Sequence, residues 1–341
     1  MKGAAGRIAA AALPLLTRLD PEMAHDLGLK GLQWMRPLWP AAKFPAGLAV
    51  RCLGLQFCHP LGLAAGFDKN GDYLDALGSL GFSHIELGTV TPRPQPGNPK
   101  PRMFRIPGSC ALINRMGFNN KGVDHLVSQL KRSQYPGIRG VSIGKNFDTP
   151  LDEAQSDFVA CLRKVYPYAD YVAANVSSPN TARLRELQAP DGLQRILGSL
   201  LEERHALRQR HGKQVPILVK IAPDLSAEQV SAVATELRSL EADGVIATNT
   251  SIDRSALLPS SAAEQRGGLS GAPLHRASLS VISQLRAELG PDFPIIGVGG
   301  IVSADNALAT LRAGANLLQV YTGFAYKGTV LLEEIMRALP A

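Results

Sequence analysis

A chain of 341 residues with 45% hydrophobic and 19% charged content can bury a large core and is too apolar to stay disordered. Its net charge of +7 admits nucleic acid, an anionic membrane surface or acidic small molecules as partners, but the Lys and Arg residues are scattered rather than blocked, which argues against nucleic acid. Cys52, Cys58, Cys110 and Cys161 are too sparse for a disulfide framework and too irregular for a zinc ligand set, and no HExxH pattern occurs, so reduced cytosolic thiols and no catalytic metal are expected.

The first 44 residues read as a unit of their own, a helical hairpin spanning about 5 to 18 and 21 to 36. Asp20 suits the N-cap of the second helix and Pro21 its first turn. Neither apolar run approaches the roughly 18 residues of a spanning helix. Both tryptophans, Trp34 and Trp39, lie near the end of this unit, and six Lys or Arg face three Asp or Glu within it. These features fit monotopic membrane attachment, while a helix pair packed on the main domain fits equally. A signal peptide is a weaker third reading, because no clean cleavage site or cysteine-paired chain follows.

From residue 45 to 341, eight short apolar runs recur between helical stretches. They are Gly62 to Ala65, His84 to Gly88, Gly140 to Ile143, Tyr171 to Val176, Pro216 to Ile221, Gly244 to Thr248, Pro294 to Val298 and Asn316 to Val320. Helices are expected over 191–209 and 226–240, the latter opened by Ser226. Residues 93–118 are too Pro-rich for a helix and form a long excursion over one end of the domain. Eight strand and helix units predict a (β/α)8 TIM barrel. A doubly wound sheet fits less well, because polar residues follow nearly every strand and no GxGxxG opens the first helix.

Those strand-end residues are the candidate site. They include Gly66, Asp68 and Lys69 after the first strand, Thr89 after the second, Lys145 and Asn146 after the third, and Ser177, Ser178 and Asn180 after the fourth. Lys220 ends the fifth, Asn249 and Thr250 follow the sixth, Gly299-Gly300 the seventh, and Tyr321-Thr322-Gly323 the eighth. A barrel gathers all of these on its C-terminal face. Asn175-Val-Ser-Ser-Pro-Asn180 combines amides and hydroxyls that can orient a polar substrate, with Ser178 a proton acceptor if a relay or local field activates it. Lys220, on an apolar strand, would be costly to bury without an anionic partner. Gly299-Gly300 alone could be an ordinary turn, but with Thr322-Gly323 it offers small residues and backbone N–H groups at two successive strand ends, so a phosphate cradle is expected there. Lys69 could equally be a surface ion pair with Asp68, and Arg102 and Arg105 are either solvated or guard an entrance.

With these segments in place, the chain closely resembles the membrane-associated, quinone-dependent class of dihydroorotate dehydrogenases over essentially its whole length. The resemblance is carried by Ala64-Ala-Gly-Phe-Asp-Lys-Asn70, the segment Glu86 to Pro99, Asn114-Arg-Met-Gly-Phe-Asn-Asn120, Ile143 to Pro150, Asn175 to Thr181, Val219 to Asp224, Thr248-Asn-Thr250, Gly267 to Gly271, Gly297 to Ile301 and Gln319 to Gly323. It implies FMN across the barrel mouth among Ala65, Gly66, Thr89, Ser142, Asn175, Lys220, Thr248, Gly271, Gly300, Tyr321 and Thr322. Dihydroorotate would be held by Lys69, Asn114, Arg115, Met116, Gly117, Phe118, Asn175, Asn180, Asn249 and Thr250, with Ser178 as the base. His25, Arg105 and Tyr321 would line a quinone tunnel, and the protein would sit peripherally on the cytoplasmic face of an anionic membrane. Electrons would pass from dihydroorotate to FMN and then to the quinone, as a step of pyrimidine biosynthesis. Soluble relatives use a cysteine base, and none of the four cysteines falls in the Asn175 to Asn180 segment.

Two departures stand out. Ser142 replaces a usual flavin-contacting asparagine, and Ala182-Arg183 replaces Pro-Gly in the loop after Thr181. Another FMN barrel, such as a dihydrouridine synthase, would carry a catalytic cysteine and a basic RNA-binding tail, and neither is found. A non-catalytic phosphate-binding peripheral membrane protein is disfavoured by the intact set of Lys69, Ser178 and Lys220.

Overall fold

The computed structural model describes residues 16, 18–38, 47–257 and 262–340. Helix α1, Pro21–Met35, starts where expected: Asp20 Oδ1 accepts the backbone N–H groups of Glu22 and Met23, each at 3.0 Å, which satisfies two donors the helix leaves unpaired. The expected helix over 5–18 lies largely outside the described residues.

After a short antiparallel hairpin, β1 (Val50–Cys52) and β2 (Leu55–Phe57), the chain enters an alternation of strands and helices. These are β3 (Leu61–Leu63), α2 (Leu74–Gly78), β4 (His84–Val90), the hairpin β5 (Met103–Ile106) and β6 (Ala111–Asn114), α3 (Val123–Arg132), β7 (Ile138–Ile143), α4 (Ala154–Val165), β8 (Tyr171–Asn175) and α5 (Pro190–His211). There follow β9 (Ile217–Ile221), α6 (Ala227–Ser239), β10 (Gly244–Ala247), β11 (Gly268–Gly271), α7 (His275–Leu289), β12 (Ile295–Val298), α8 (Ala304–Arg312), β13 (Leu317–Val320), α9 (Thr322–Lys327) and α10 (Thr329–Ala338). Strands β3, β4, β7, β8, β9, β10, β12 and β13 close a parallel barrel in chain order. Each expected strand is present. Ser226 caps α6 through a reciprocal pair with Gln229.

The strands are buried on both faces, so the period-2 alternation sorts apolar against apolar rather than apolar against polar. Outward residues such as Val172, Val219, Val245 and Leu318 join the helices in the large core. Inward ones, including Tyr171, Leu218, Ile246, Ile296 and Leu317, fill the barrel above a plug formed by Phe57. Two large inward rings need glycine beside them: a Cβ on Gly62 would lie 2.2 Å from the His84 ring, and one on Gly140 2.1 Å from Tyr171. His84 has no hydrogen-bond partner at either nitrogen, and burial pushes its pKa down to about 3, so it packs as a neutral ring.

The Pro-rich excursion contains the β5–β6 hairpin, which β11 extends to a three-stranded antiparallel sheet. Helix α1 packs on β5. Arg102 just before that strand donates to Glu22 Oε1 at 2.7 Å and to the carbonyl oxygens of Pro96 and Asn98 at 2.7 and 2.9 Å. Lys100 approaches the same carboxylate at 3.3 Å. Burial would raise the Glu22 pKa, but the hydrogen bond and charge of Arg102 hold it below the usual carboxylate value. Arg102 is therefore a docking residue for α1 and is not solvated.

Candidate active site

Period-2 alternation aims a polar group into the barrel at the C-terminal end of several strands. On β9, Leu218 points inward and so does Lys220 two residues later; on β4, Glu86 follows His84; on β13, Gln319 follows Leu317. Strand pairing then brings these together. Lys220 Nζ stands 3.4 Å from Glu86 Oε1, while Glu86 Oε2 accepts from Tyr171 Oη at 3.1 Å and Gln319 Nε2 at 2.8 Å. Lys220 thus meets the anionic partner that its burial demands.

Above this layer opens a cavity lined by every expected cofactor residue but one: Ala65, Gly66, Thr89, Asn175, Lys220, Thr248, Gly271, Gly300, Tyr321 and Thr322. Ser142 does not line it. Its short hydroxyl is fully buried and pairs instead with Thr89 Oγ1 at 2.9 Å, and Thr89 also accepts Asn175 Nδ2 at 2.9 Å. Ser142 therefore reaches the cavity only through Thr89.

Of the expected substrate residues, Lys69, Asn114, Met116, Gly117, Phe118, Asn175, Asn180, Asn249 and Thr250 line the same cavity, together with Ser178. Arg115 does not. Its guanidinium turns to the outer side of the hairpin, 4.7 Å from the Phe104 ring, and donates to Gln265 at 3.0 Å and to the Pro101 carbonyl at 2.9 Å. Successive residues of an extended segment face opposite ways, so Asn114 and Arg115 cannot both point in.

The amides interlock. Asn180 Nδ2 donates to Asn114 Oδ1 at 3.2 Å, and Asn249 Nδ2 donates to Asn175 Oδ1 at 3.1 Å and Ser177 Oγ at 2.9 Å. Ser178 Oγ accepts the Asn180 backbone N–H at 3.2 Å. Lys69 Nζ donates to the Gly66 carbonyl at 2.9 Å, and burial lowers its pKa. It is a wall of the cavity; its neighbour Asp68 accepts the backbone N–H of Tyr73 at 2.8 Å and is pushed up to about 6 by burial.

Opposite lies a close-packed glycine corner. Gly271, Gly299 and Gly300 have φ of 101°, 120° and 72°, and a Cβ on Gly271 or Gly300 would meet the Cys110 carbonyl oxygen or the His275 backbone at 2.2 and 2.4 Å. Only glycine allows these loops to converge there. Leu274, Val298, Ser270 and Gln319 also line the cavity. Gln319 is signalled by its inward register with Leu317, and Ser270 lies inside the Gly267 to Gly271 segment that carries the resemblance, whereas Leu274, in the turn after β11, has no comparable signal.

A second, mainly apolar pocket lies between α1, the β5–β6 hairpin and α9. His25, Arg105 and Tyr321 line it together, with Leu32, Phe67, Leu112 and Phe324. The Phe67 ring stands edge-on to both His25 and Tyr321, at 4.8 and 5.3 Å, and Tyr321 borders both cavities. Burial brings the His25 pKa down to about 4. Its Nε2 lies 2.8 Å from the Phe67 carbonyl, which can only accept, so that nitrogen carries the proton.

A family model described as dihydroorotate dehydrogenase matches residues 47–341. The protein named dihydroorotate dehydrogenase (quinone) from Aromatoleum aromaticum is 52% identical over 327 residues, covering 96% of this chain and 93% of that protein. The protein of the same name from Marinobacter nauticus is 50% identical over 328 residues, covering 95% and 96%. Among solved structures, the Eimeria tenella DHODH in complex with ferulenol superposes with a TM-score of 0.87 at 36% identity, covering 94% of this chain and 90% of that one. Barrel, cavity and sequence agree along nearly the full length, and this chain belongs to the dihydroorotate dehydrogenase family.

Proposed function

We propose that this protein oxidises dihydroorotate to orotate in pyrimidine biosynthesis, with FMN in the barrel mouth and a membrane quinone as the final electron acceptor. The observation that carries this reading is the convergence of Ser178, Lys69, Lys220 and four asparagines on one cavity at the strand C-termini. The substrate ring offers both N–H donors and carbonyl acceptors, and the amides of Asn114, Asn175, Asn180 and Asn249 can answer either. Lys69 pairs with the substrate carboxylate. Ser178 Oγ takes the proton from the carbon beside the ring carbonyl while its own hydroxyl proton passes to water.

FMN supplies an acceptor for the hydride that leaves the adjacent carbon. The residues present suit it. Thr89, Asn175 and Lys220 offer a hydroxyl, an amide and a cation to a flavin ring, and the glycine corner with Thr322 leaves room for a phosphate. Lys220 offsets the negative charge that the hydride brings.

The second pocket is the proposed quinone entry. Helix α1 exposes Met23, Leu27 and Trp34, spaced to lie on one face and 54, 46 and 85% exposed, an apolar surface suited to peripheral contact with an anionic bilayer. No helix among the described residues is long and apolar enough to cross a membrane.

The test is the anaerobic visible spectrum of the purified protein before and after dihydroorotate, then after a short-chain quinone. The expected result is a bound flavin that bleaches with substrate and recovers with quinone. A bound flavin that stays oxidised overturns the substrate, and a colourless protein overturns the cofactor.

A further inference from the structure

Arg185 does not line the cavity, yet it ties two of the loops that do, those after β8 and β10, to the loop after β9. It sits in one turn of 3-10 helix, Leu184–Gln188, between β8 and α5. Its Nε donates to the Ser177 carbonyl at 3.1 Å, its Nη1 to Asp224 Oδ2 at 2.7 Å and its Nη2 to the Thr250 carbonyl at 2.7 Å. These acceptors follow β8, β9 and β10 respectively. Asp224 is held in turn by the Ser251 hydroxyl and by the Ile252 N–H, the latter at 3.2 Å. The side chains of Arg185 and Asp224 are 22% and 17% exposed.

The Ser177 carbonyl belongs to the peptide that carries Ser178. Fixing that oxygen fixes the plane from which the Ser178 side chain departs. A guanidinium can hold three acceptors in one rigid fork, and a lysine ammonium cannot reproduce that geometry. Arg183 sets the approach: it turns the chain with φ of 56° and pairs in two hydrogen bonds with exposed Glu186, at 2.7 and 2.8 Å. That turn leads the chain into the one from which Arg185 reaches back across the loops.

We infer that Arg185 is a positioning residue that aims Ser178 at the substrate by locking the loops after β8, β9 and β10 together. The inference rests on the reading of Ser178 as the proton acceptor. Its signature is a loss in the proton-transfer step with little loss in ligand binding.

The test compares Arg185→Ala, Arg185→Lys, Asp224→Asn and Ser178→Ala in the flavin-bound protein. Orotate affinity is read from the flavin spectrum, and flavin reduction by dihydroorotate is followed in single turnovers. Expected for Arg185→Ala is reduction slowed about 100-fold, within the range of general-base effects, with orotate affinity changed by less than about fivefold, and partial recovery when guanidinium ion is added. Arg185→Lys should recover less than about a tenth of the rate, and Asp224→Asn, which removes the negative charge behind one of the three hydrogen bonds, should fall between. Adding Arg185→Ala to Ser178→Ala should cost little more, because both act on one step.

Reduction by Arg185→Ala within about threefold of the parent, or a full additional loss in the double variant, overturns the inference. So does a fall in orotate affinity that matches the fall in rate. If Arg185→Ala does not fold, Arg185→Lys and Asp224→Asn decide by the same two readouts. Normal reduction by Ser178→Ala would instead sink the base assignment, whatever Arg185 does.

Discussion

The two cavities that meet at Tyr321 are built in different ways. The polar one at the barrel mouth is assembled from strand ends whose register is set by a closed sheet, and its side chains are cross-linked by hydrogen bonds between loops. The apolar one is walled on one side by α1, which is fastened by the Glu22–Arg102 pair, by His25 on the Phe67 carbonyl and by Arg105 on the Leu19 carbonyl. The proposed substrate half-site is thus built into the barrel, whereas the proposed electron-acceptor half-site depends on how well one helix is docked. The two should therefore fail separately.

The sharpest separation comes from Ser178→Ala. It should slow flavin reduction by about 100-fold or more and leave reoxidation of the reduced flavin by quinone unchanged, as measured in separate half-reactions. A parallel loss in both halves would break the distinction.

Acid comes next, because it acts on groups throughout the molecule. His25, His59 and His84 are depressed to about 4, 4 and 3 by burial. Between those values and the ordinary histidine value of 6.5 the unfolded chain binds protons that the folded one refuses, so stability falls as pH falls. Asp68, raised to about 6 by burial, works the other way between its ordinary value of 3.8 and 6, since there the folded state binds the extra proton. Three groups against one leave a net loss of up to about 3 kcal/mol per pH unit near pH 5. Urea unfolding at pH 6.5 and 5.0 checks the sign; a midpoint that rises on acidification would show that the histidines are not buried as neutral rings.

The smallest expected effect is the most selective. Glu22→Ala leaves Arg102, only 7% exposed, without its carboxylate and should weaken α1 docking by about tenfold, or ~1.4 kcal/mol. Quinone KM should rise by a similar factor while flavin reduction by dihydroorotate stays the same. Should the first half-reaction slow instead, the helix would have to be counted as part of the barrel-mouth site.

Much of this was legible beforehand. The eight barrel strands and the start of α1 are written in local patterns: short apolar runs, turn residues and an Asp-Pro cap. The hairpin of β1 and β2 was not foreseen, because three-residue strands carry too little periodicity to register. Strands β5 and β6 hid in a Pro-rich stretch that read only as an excursion. Two residues that the resemblance places at the site, Ser142 and Arg115, do not line the cavity: the Ser142 hydroxyl is engaged by Thr89, and Arg115 takes the outward phase beside an inward Asn114.

The sequence by itself determined which groups stand at the strand ends, because alternation along a strand is a local property of the backbone. Only the tertiary structure decided their partners: Lys220 with Glu86, Glu22 with Arg102, and Arg185 with Ser177, Asp224 and Thr250. Barrel closure and loop packing bring together residues distant in the chain, and no local pattern encodes which of many buried charges will face each other once the sheet has closed.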